Sequence, residues 1–198
     1  ELVMAGGLDL ARRLRDAGKQ VFLDMKLLDI ENTVERATRA AAAAGAAFLT
    51  VHALDSRTVR AAAAGRAGTG LRLLGVTVLT NLDASDLREQ GIVEASTDLV
   101  VRRARLARAA GCDGIVASGL EAAAVRAAVG PDAPIVTPGI RAPGGVAGDQ
   151  ARVATPHAAI VGGADYLVVG RPIVQAADPC RSAAEFVQAI GEALAARG

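Results

Sequence analysis

Residues 21–53 read VFLDMKLLDIENTVERATRAAAAAGAAFLTVHA, and their pattern indicates the fold class. An apolar run at 21–27 is followed by a segment rich in Ala, Arg and Glu, and then by a second apolar run at 47–53. Near-continuous apolar runs are typical of parallel strands whose two faces are covered by helices. The stretch therefore predicts a strand, a helix and a second strand parallel to the first.

The same alternation continues along the rest of the chain. Apolar runs predict further strands at 71–79, 114–118, 134–140 and 165–170. Segments of helical composition lie at 8–18, 31–45, 55–65, 97–110, 120–129, 155–162 and 180–196. A doubly wound open sheet and a (β/α)8 TIM barrel both have this order of elements.

Two features favour the barrel. No GxGxxG motif follows a strand, which disfavours a dinucleotide-binding open sheet. Polar residues stand at the ends of successive strands, as in barrels whose active sites are built from the loops after the strands. We therefore predict an α/β chain with the (β/α)8 TIM-barrel fold. Only six strands are visible, so we expect residues 1–198 to be a single barrel domain that is N-terminally incomplete, with about two strands missing.

Composition and charge exclude several classes of protein. With 52% hydrophobic and 22% charged residues, the 198-residue chain is globular rather than disordered. Its 22 basic residues are balanced by 21 acidic ones and 2% of residues are aromatic, so no nucleic-acid-binding face is indicated. The apolar runs are shorter than the roughly 20 residues that span a bilayer, so no membrane segment is predicted. Cys112 and Cys180 lack the spacing of a disulfide framework or zinc site, and we expect a cytoplasmic protein.

The segment DMKLLD at 24–29 has the clearest catalytic pattern. Lys26 and Lys19 are the two lysines of a chain whose other basic residues are Arg. Strand alternation puts Asp24 and Lys26 on one face, and Asp29 follows in the next loop, where it can reach the same ammonium or a neighbouring subunit. A structural ion pair inside the barrel is one interpretation. Flanking carboxylates keep a lysine charged, which suits a proton donor to a carbanion better than a Schiff-base amine.

A second group of polar residues follows the last two predicted strands. Arg141 begins a Gly-rich loop that runs to Gln150, and the strand at 165–170 ends in Gly170 and Arg171. Loops after the last strands of TIM barrels commonly bind phosphate through backbone N–H groups and an Arg. Gly170 and Arg171 can also simply end a strand, but two adjacent Arg-bearing loops favour a phosphate site.

The motifs and their order resemble one enzyme family. They are DMKLLDI (24–30), NTV (32–34), VTVLTN (76–81), ASDL (84–87), VTPGIR (136–141), GDQ (148–150), ATP (154–156) and VGRPI (169–173). Over essentially the whole chain they resemble the bacterial orotidine 5′-phosphate decarboxylases. The Asp-x-Lys-x-x-Asp pattern is shared with hexulose-phosphate synthases of the same superfamily, whereas TPGIR, GDQ and GRP make the resemblance specific.

The resemblance implies a homodimeric (β/α)8 barrel that converts orotidine 5′-phosphate to uridine 5′-phosphate in de novo pyrimidine synthesis, with no metal or organic cofactor. Lys26 would protonate C6 of the pyrimidine, and Asp24 would lie against the substrate carboxylate. Asp29 of the partner subunit would hold the Lys26 ammonium and, with Thr33, help bind the ribose. Thr80 would contact the pyrimidine, and the phosphate would be bound by Arg141, Gln150, Gly170 and Arg171.

The chain also departs from the family pattern. The family has an Asp on its first strand and a Lys on its second, and both fall in the part expected to be missing. Leu28 and Glu31 stand where bacterial relatives usually have His and Pro, which we expect to affect local loop geometry only. Two alternatives stay open: a metal-dependent aldolase like hexulose-phosphate synthase, and a non-catalytic barrel that binds phosphorylated nucleotides.

Overall fold

The computed structural model describes residues 6–144 and 152–197. Its strands are β1 (Phe22–Leu27), β2 (Phe48–His52), β3 (Arg72–Val76), β4 (Gly114–Val116), β5 (Ile135–Thr137) and β6 (Tyr166–Leu167). Its helices are α1 (Leu8–Asp16), α2 (Glu31–Ala43), α3 (Ser56–Gly65), α4 (Ala84–Glu89), α5 (Ser96–Ala110), α6 (Ala122–Val129), α7 (Pro156–Val161), α8 (Arg171–Val174) and α9 (Pro179–Arg197). Every element predicted from the sequence is present. Within the described ranges, no helix combines the length and apolarity needed to cross a bilayer.

The chain divides into two compact units, and the first comprises Glu1–Val76 and Leu106–Gly114. In this unit β1 pairs in parallel with β2, and β2 pairs in parallel with β3. Leu49, Val51 and Leu73 on these strands are completely buried. The parallel strand–helix–strand order predicted from residues 21–53 is therefore confirmed.

Helices α2 and α3 of the first unit approach each other closely at Gly65. A Cβ built on Gly65 would lie 2.3 Å from the Glu35 carbonyl oxygen and 2.9 Å from Thr38 Cβ. The first of these distances is far inside van der Waals contact, and the contacted atom belongs to the backbone. The helices therefore pack at this spacing only because residue 65 has no side chain.

The second unit comprises Thr77–Arg105 and Ile115–Gly198. Here β4 pairs in parallel with β5, and β5 with β6. The Thr77 N–H donates to the Val116 carbonyl at 3.2 Å, so the backbone after β3 continues alongside β4. One hydrophobic cluster of this unit consists of Ile140, Ala154, Ala159, Ala164 and Phe186.

Acidic side chains cap the starts of α3 and α4. Asp55 precedes α3 and accepts the N–H groups of Arg57 and Thr58 at 2.9 and 2.8 Å. These bonds satisfy donors that the first turn of a helix leaves unpaired. The short helices α4 and α8, of six and four residues, were not predicted because neither is long enough to show a helical period. In α4 a capping box between Asp83 and Asp86 fixes the start.

Candidate active site

Strand β1 contains an irregularity at the predicted catalytic segment. Leu23 pairs with Leu49, but the next pair is Leu27 with Val51, so three residues of β1 stand opposite Thr50 of β2. Such a bulge bends the strand and redirects side chains, and bulges are common beside active sites. Within it Lys26 has a φ of +51°. Residues with a Cβ rarely adopt this left-handed conformation.

The bulge brings Asp24, Lys26 and Thr50 together. Lys26 Nζ donates to Asp24 Oδ2 at 2.5 Å, and the Thr50 hydroxyl donates to Asp24 Oδ1 at 2.9 Å. The backbone N–H of Lys26 donates to Thr50 Oγ1 at 2.8 Å. Simple strand alternation predicted the proximity of Asp24 and Lys26, but the structure achieves it through the bulge. Thr50 was missed, because a Thr within the apolar run FLTVH looks like a packing residue.

The ion pair is open to solvent on one side. The side chains of Lys26 and Asp24 are 36% and 49% exposed, whereas Thr50 is completely buried. Among the described strands of its unit β1 is an edge strand that pairs with β2, and the exposed side of the ion pair lies at this edge.

Asp29 and Thr33 lie at the start of α2, beyond the end of β1. The Asp29 carboxylate accepts the N–H of Ile30 at 2.7 Å, and the Thr33 N–H donates to the Ile30 carbonyl at 3.0 Å. Both side chains are exposed. Within the part of the chain that the structure describes, the Lys26 ammonium is paired with Asp24, while Asp29 bonds to its own loop.

Thr80, in the second unit, is held through its backbone by Arg152. The Arg152 N–H donates to the Thr80 carbonyl at 3.1 Å. The Arg152 guanidinium donates to the preceding carbonyls, those of Val78 at 3.1 Å and Leu79 at 2.9 Å. One residue thus fixes three consecutive peptide groups, and the predicted pyrimidine contact, Thr80, is the last of them.

Arg152 is itself fixed by a buried charge. Its guanidinium donates to Glu121 Oε1 at 2.5 Å and to Ser96 Oγ at 3.1 Å, and the side chains of Arg152 and Glu121 are 10% and 5% exposed. A buried charge is tolerated only when an opposite charge and hydrogen bonds compensate it. No motif or spacing in the sequence indicated this pair, whose members are 31 residues apart.

The first predicted phosphate loop is described in part. The Arg141 N–H donates to the Ala154 carbonyl at 3.0 Å, and the Arg141 guanidinium donates to the Ile140 carbonyl at 2.8 Å. Arg141 therefore lies after the end of β5 and is bonded through its backbone to Ala154. Gln150, the other residue predicted there, lies outside the described residues.

The second predicted phosphate loop lies between β6 and α8. Gly170 precedes α8, and its carbonyl accepts the N–H groups of Ile173 at 2.9 Å and Val174 at 3.1 Å. Arg171 is the first residue of that helix. The predicted strand at 165–170 is shorter than expected, since β6 ends at Leu167.

The cysteines do not form a catalytic group with these residues. Burial, aided by the charge of Asp113, raises the pKa of the Cys112 thiol to about 12. A thiol with so high a pKa has almost no thiolate at neutral pH and is a poor nucleophile. Cys180 is exposed and unpaired, on α9.

Comparison with known proteins identifies the family. Residues 1–186 match the model of the orotidine 5′-phosphate decarboxylase / HUMPS family. The chain belongs to this family. The family has the TIM-barrel fold, which confirms the barrel predicted from the sequence over the open sheet. The expected N-terminal strands and the single-domain organisation stay predictions.

Individual relatives agree with the family match. The chain is 57% identical to the orotidine 5′-phosphate decarboxylase of Methylobacterium sp. (strain 4-46) over 192 residues, covering 96% of this chain and 81% of that protein. It is 54% identical to the enzyme of the same name from Bradyrhizobium sp. (strain BTAi1 / ATCC BAA-1182) over 198 residues, covering 100% and 81%.

Two solved structures are similar to this chain. The crystal structure of orotidine 5′-phosphate decarboxylase from Lactobacillus acidophilus matches with a TM-score of 0.80 and 36% identity, covering 92% of this chain and 80% of that one. A conserved protein from Geobacillus kaustophilus described as uncharacterized matches with a TM-score of 0.78 and 34% identity, covering 93% and 82%.

Proposed function

We propose that this chain decarboxylates orotidine 5′-phosphate to uridine 5′-phosphate, and that Lys26 supplies the proton. The observation that carries the proposal is the solvent-open pair of Lys26 Nζ with Asp24 Oδ2, 2.5 Å apart, in a chain of this family. Relatives at 57% and 54% identity are named for this reaction, a step of pyrimidine synthesis. The reaction makes the chain a carbon–carbon lyase.

The chemistry needs a charged proton donor and a nearby negative charge. As the bond between C6 and the carboxylate breaks, CO2 leaves and the electron pair stays on C6. Lys26 Nζ gives a proton to C6, which forms uridine 5′-phosphate, and solvent then restores the ammonium. The Asp24 carboxylate would repel the substrate carboxylate in the ground state and less so as CO2 forms.

The remaining predicted residues would bind the parts of the substrate that do not react. We propose that Thr80 contacts the pyrimidine and that the phosphate is bound by Arg141, Gln150, Gly170 and Arg171. Binding energy from a remote phosphate can be used to orient and desolvate the reacting carbon. The proposed reaction uses no metal or organic cofactor.

We also propose a homodimer in which Asp29 and Thr33 act in the partner's site. The loops that follow the paired strands β1 and β2 carry exposed apolar side chains: Leu28 (50% exposed), Ile30 (68%) and Leu54 (41%). Burying this apolar surface would favour association. Asp29 and Thr33 lie beside this apolar surface and would be brought to a second copy.

The small-molecule substrate and unpaired cysteines suit the reducing cytoplasm, where we expect the protein to act.

The decisive experiment follows the absorbance of orotidine 5′-phosphate with the purified full-length protein, with and without EDTA. We expect metal-independent decay that Lys26→Ala lowers at least about 10²-fold, the usual contribution of a general acid. Lys19→Ala is the matched control, since Lys19 is the other lysine and is exposed.

Each other outcome points elsewhere. Decay that survives in Lys26→Ala would overturn the assignment of the proton donor. Decay that EDTA abolishes would overturn the metal-independent reaction, and no decay at all would favour the metal-dependent aldolase chemistry of the same superfamily. Binding of uridine 5′-phosphate by a folded protein that releases no CO2 would indicate a non-catalytic nucleotide-binding barrel.

A further inference from the structure

We propose that Thr50 is a positioning residue for Lys26, holding the bulge that aims the ammonium. The inference rests on the proposed function, because it assigns Thr50 a role in the proton transfer that Lys26 performs. Thr50 touches both residues of the ion pair, one through a carboxylate oxygen and the other through the backbone.

The Thr50 side chain bonds to the backbone of the bulge. Between the pairs Leu23–Leu49 and Leu27–Val51, β1 has more residues than β2, so the regular ladder is interrupted. The backbone N–H of Lys26 lies in this interval and donates to Thr50 Oγ1 at 2.8 Å. The bond gives this partly buried N–H an acceptor and so stabilises the bulged conformation.

The direction of each hydrogen bond follows from the chemistry of the groups. A hydroxyl has one proton to donate and two lone pairs to accept with. The Lys26 N–H can only donate, so it occupies a lone pair of Thr50 Oγ1. The hydroxyl proton is then free for Asp24 Oδ1 at 2.9 Å. The single hydroxyl oxygen of Thr50 therefore makes both bonds.

The two contacts hold Lys26 at both of its ends. Thr50 fixes its backbone, and Asp24, itself oriented by Thr50, holds Nζ at 2.5 Å. Lys26 needs such support because its φ of +51° is disfavoured for a residue with a Cβ. Without the hydroxyl, the backbone would relax toward negative φ and the ammonium would be redirected.

The test compares three variants by steady-state kinetics. Thr50→Val keeps the shape and removes both bonds, and we expect kcat to fall by up to about 10²-fold, as for a misplacement of roughly 1 Å, with KM little changed. Thr50→Ser keeps the hydroxyl and should recover most of kcat. Thr38→Val is the matched control, since Thr38 is also completely buried in the first unit and its hydroxyl has no hydrogen-bond partner among the described residues.

Several results would overturn the proposal. Wild-type kcat in Thr50→Val would do so, and so would an equal loss in Thr50→Val and Thr38→Val, which would indicate a general packing effect. A loss that Thr50→Ser does not relieve would also count against it. If Thr50→Val does not fold, the smaller Thr50→Ala replaces it.

A crystal structure of the Thr50 variant separates this inference from the proposed function. We expect Lys26 to leave the positive-φ region in that variant, whether or not the protein turns over substrate, and an unchanged Lys26 backbone would overturn the positioning role. Wild-type protein that releases no CO2 would instead overturn the proposed function alone.

Discussion

Lys26 Nζ lies 2.5 Å from Asp24 Oδ2, and Lys26 reaches this position with a backbone φ of +51°. The ion pair is therefore formed from a conformation that the lysine backbone disfavours by roughly 1–2 kcal/mol. Such conformations persist where surrounding contacts hold them, and they cluster at functional sites. The Lys26 backbone conformation lowers local stability, and in this conformation the ammonium has a defined position beside Asp24.

The stability cost of the Lys26 backbone conformation can be measured by comparing two substitutions at position 26. Lys26→Gly and Lys26→Ala both remove the ammonium, but only Gly adopts positive φ without a steric penalty. We expect Lys26→Gly to be the more stable of the two by about 1 kcal/mol in urea unfolding.

The same pair of substitutions at Lys19 serves as a control, because Lys19 is not among the positive-φ residues. There the order should reverse, since Gly increases the entropy of the unfolded chain. Equal stability of Lys26→Gly and Lys26→Ala would show that residue 26 does not need the left-handed conformation in solution.

The buried Arg152–Glu121 pair predicts a large and asymmetric effect on stability. Arg152→Met leaves Glu121 buried without its partner, and we expect a loss of about 3–5 kcal/mol in the free energy of unfolding. Adding Glu121→Leu should recover part of that loss, because the uncompensated charge is then gone.

The exposed pair of Arg181 and Glu185, with side chains 78% and 65% exposed, is the matched control. Arg181→Met should change stability by less than about 1 kcal/mol. An Arg152→Met variant as stable as Arg181→Met would show that the buried pair is not needed for folding.

The proposed phosphate contact of Arg171 predicts selective loss of affinity. Arg171→Ala should raise KM for orotidine 5′-phosphate by about 10- to 100-fold, the range for a hydrogen bond to a charged group. Binding of uridine 5′-phosphate should weaken in titration calorimetry, while binding of uridine, which has no phosphate, should not. Arg181→Ala, on an exposed face of α9, should affect neither. If binding of uridine 5′-phosphate and of uridine weakened equally, Arg171 would not contact the phosphate.

Asp55 predicts a pH-dependent contribution to stability. Hydrogen bonds from the Thr58 N–H and hydroxyl and from the Arg57 N–H lower the pKa of its carboxyl. At pH 7, Asp55→Ala should cost about 1 kcal/mol, as usual for an N-cap. The folded pKa lies below the unfolded value of about 3.9, so the stabilisation is complete above that value and is lost as pH falls through the folded pKa.

Urea unfolding of both proteins between pH 7 and pH 2 checks this expectation. The difference in the free energy of unfolding should narrow below about pH 4. A difference that stays constant down to pH 2 would show that the Asp55 charge does not contribute to capping α3.

Much of the architecture could be predicted from apolar periodicity alone. The strands around Leu49 and Ile135 are buried on both faces, so their sequences read as continuous apolar runs. The cap at Asp55 is equally local, because its residue type and position suffice to make the bonds. These features depend on residues close together in the chain.

The features that could not be predicted depend on residues far apart. The bulge in β1 is defined by its register against β2, and register is a property of the strand pair rather than of either segment. Thr50 and Asp24 are 26 residues apart, and Arg152 contacts Val78 across 74 residues. No local pattern indicates such contacts, so Thr50 and Arg152 were missed, whereas the proximity of Asp24 and Lys26 was predicted.

Because the chain has two lysines, Lys26 can be labelled selectively enough for spectroscopy. Lys19 and Lys26 are the two lysines of the chain, and the Lys26 side chain is 36% exposed. Besides the α-amino group, reductive methylation with ¹³C-formaldehyde would therefore place isotope on one surface lysine and on the lysine paired with Asp24. Heteronuclear NMR could then follow the paired amine directly during titration with a nucleotide, using Lys19 as the internal reference.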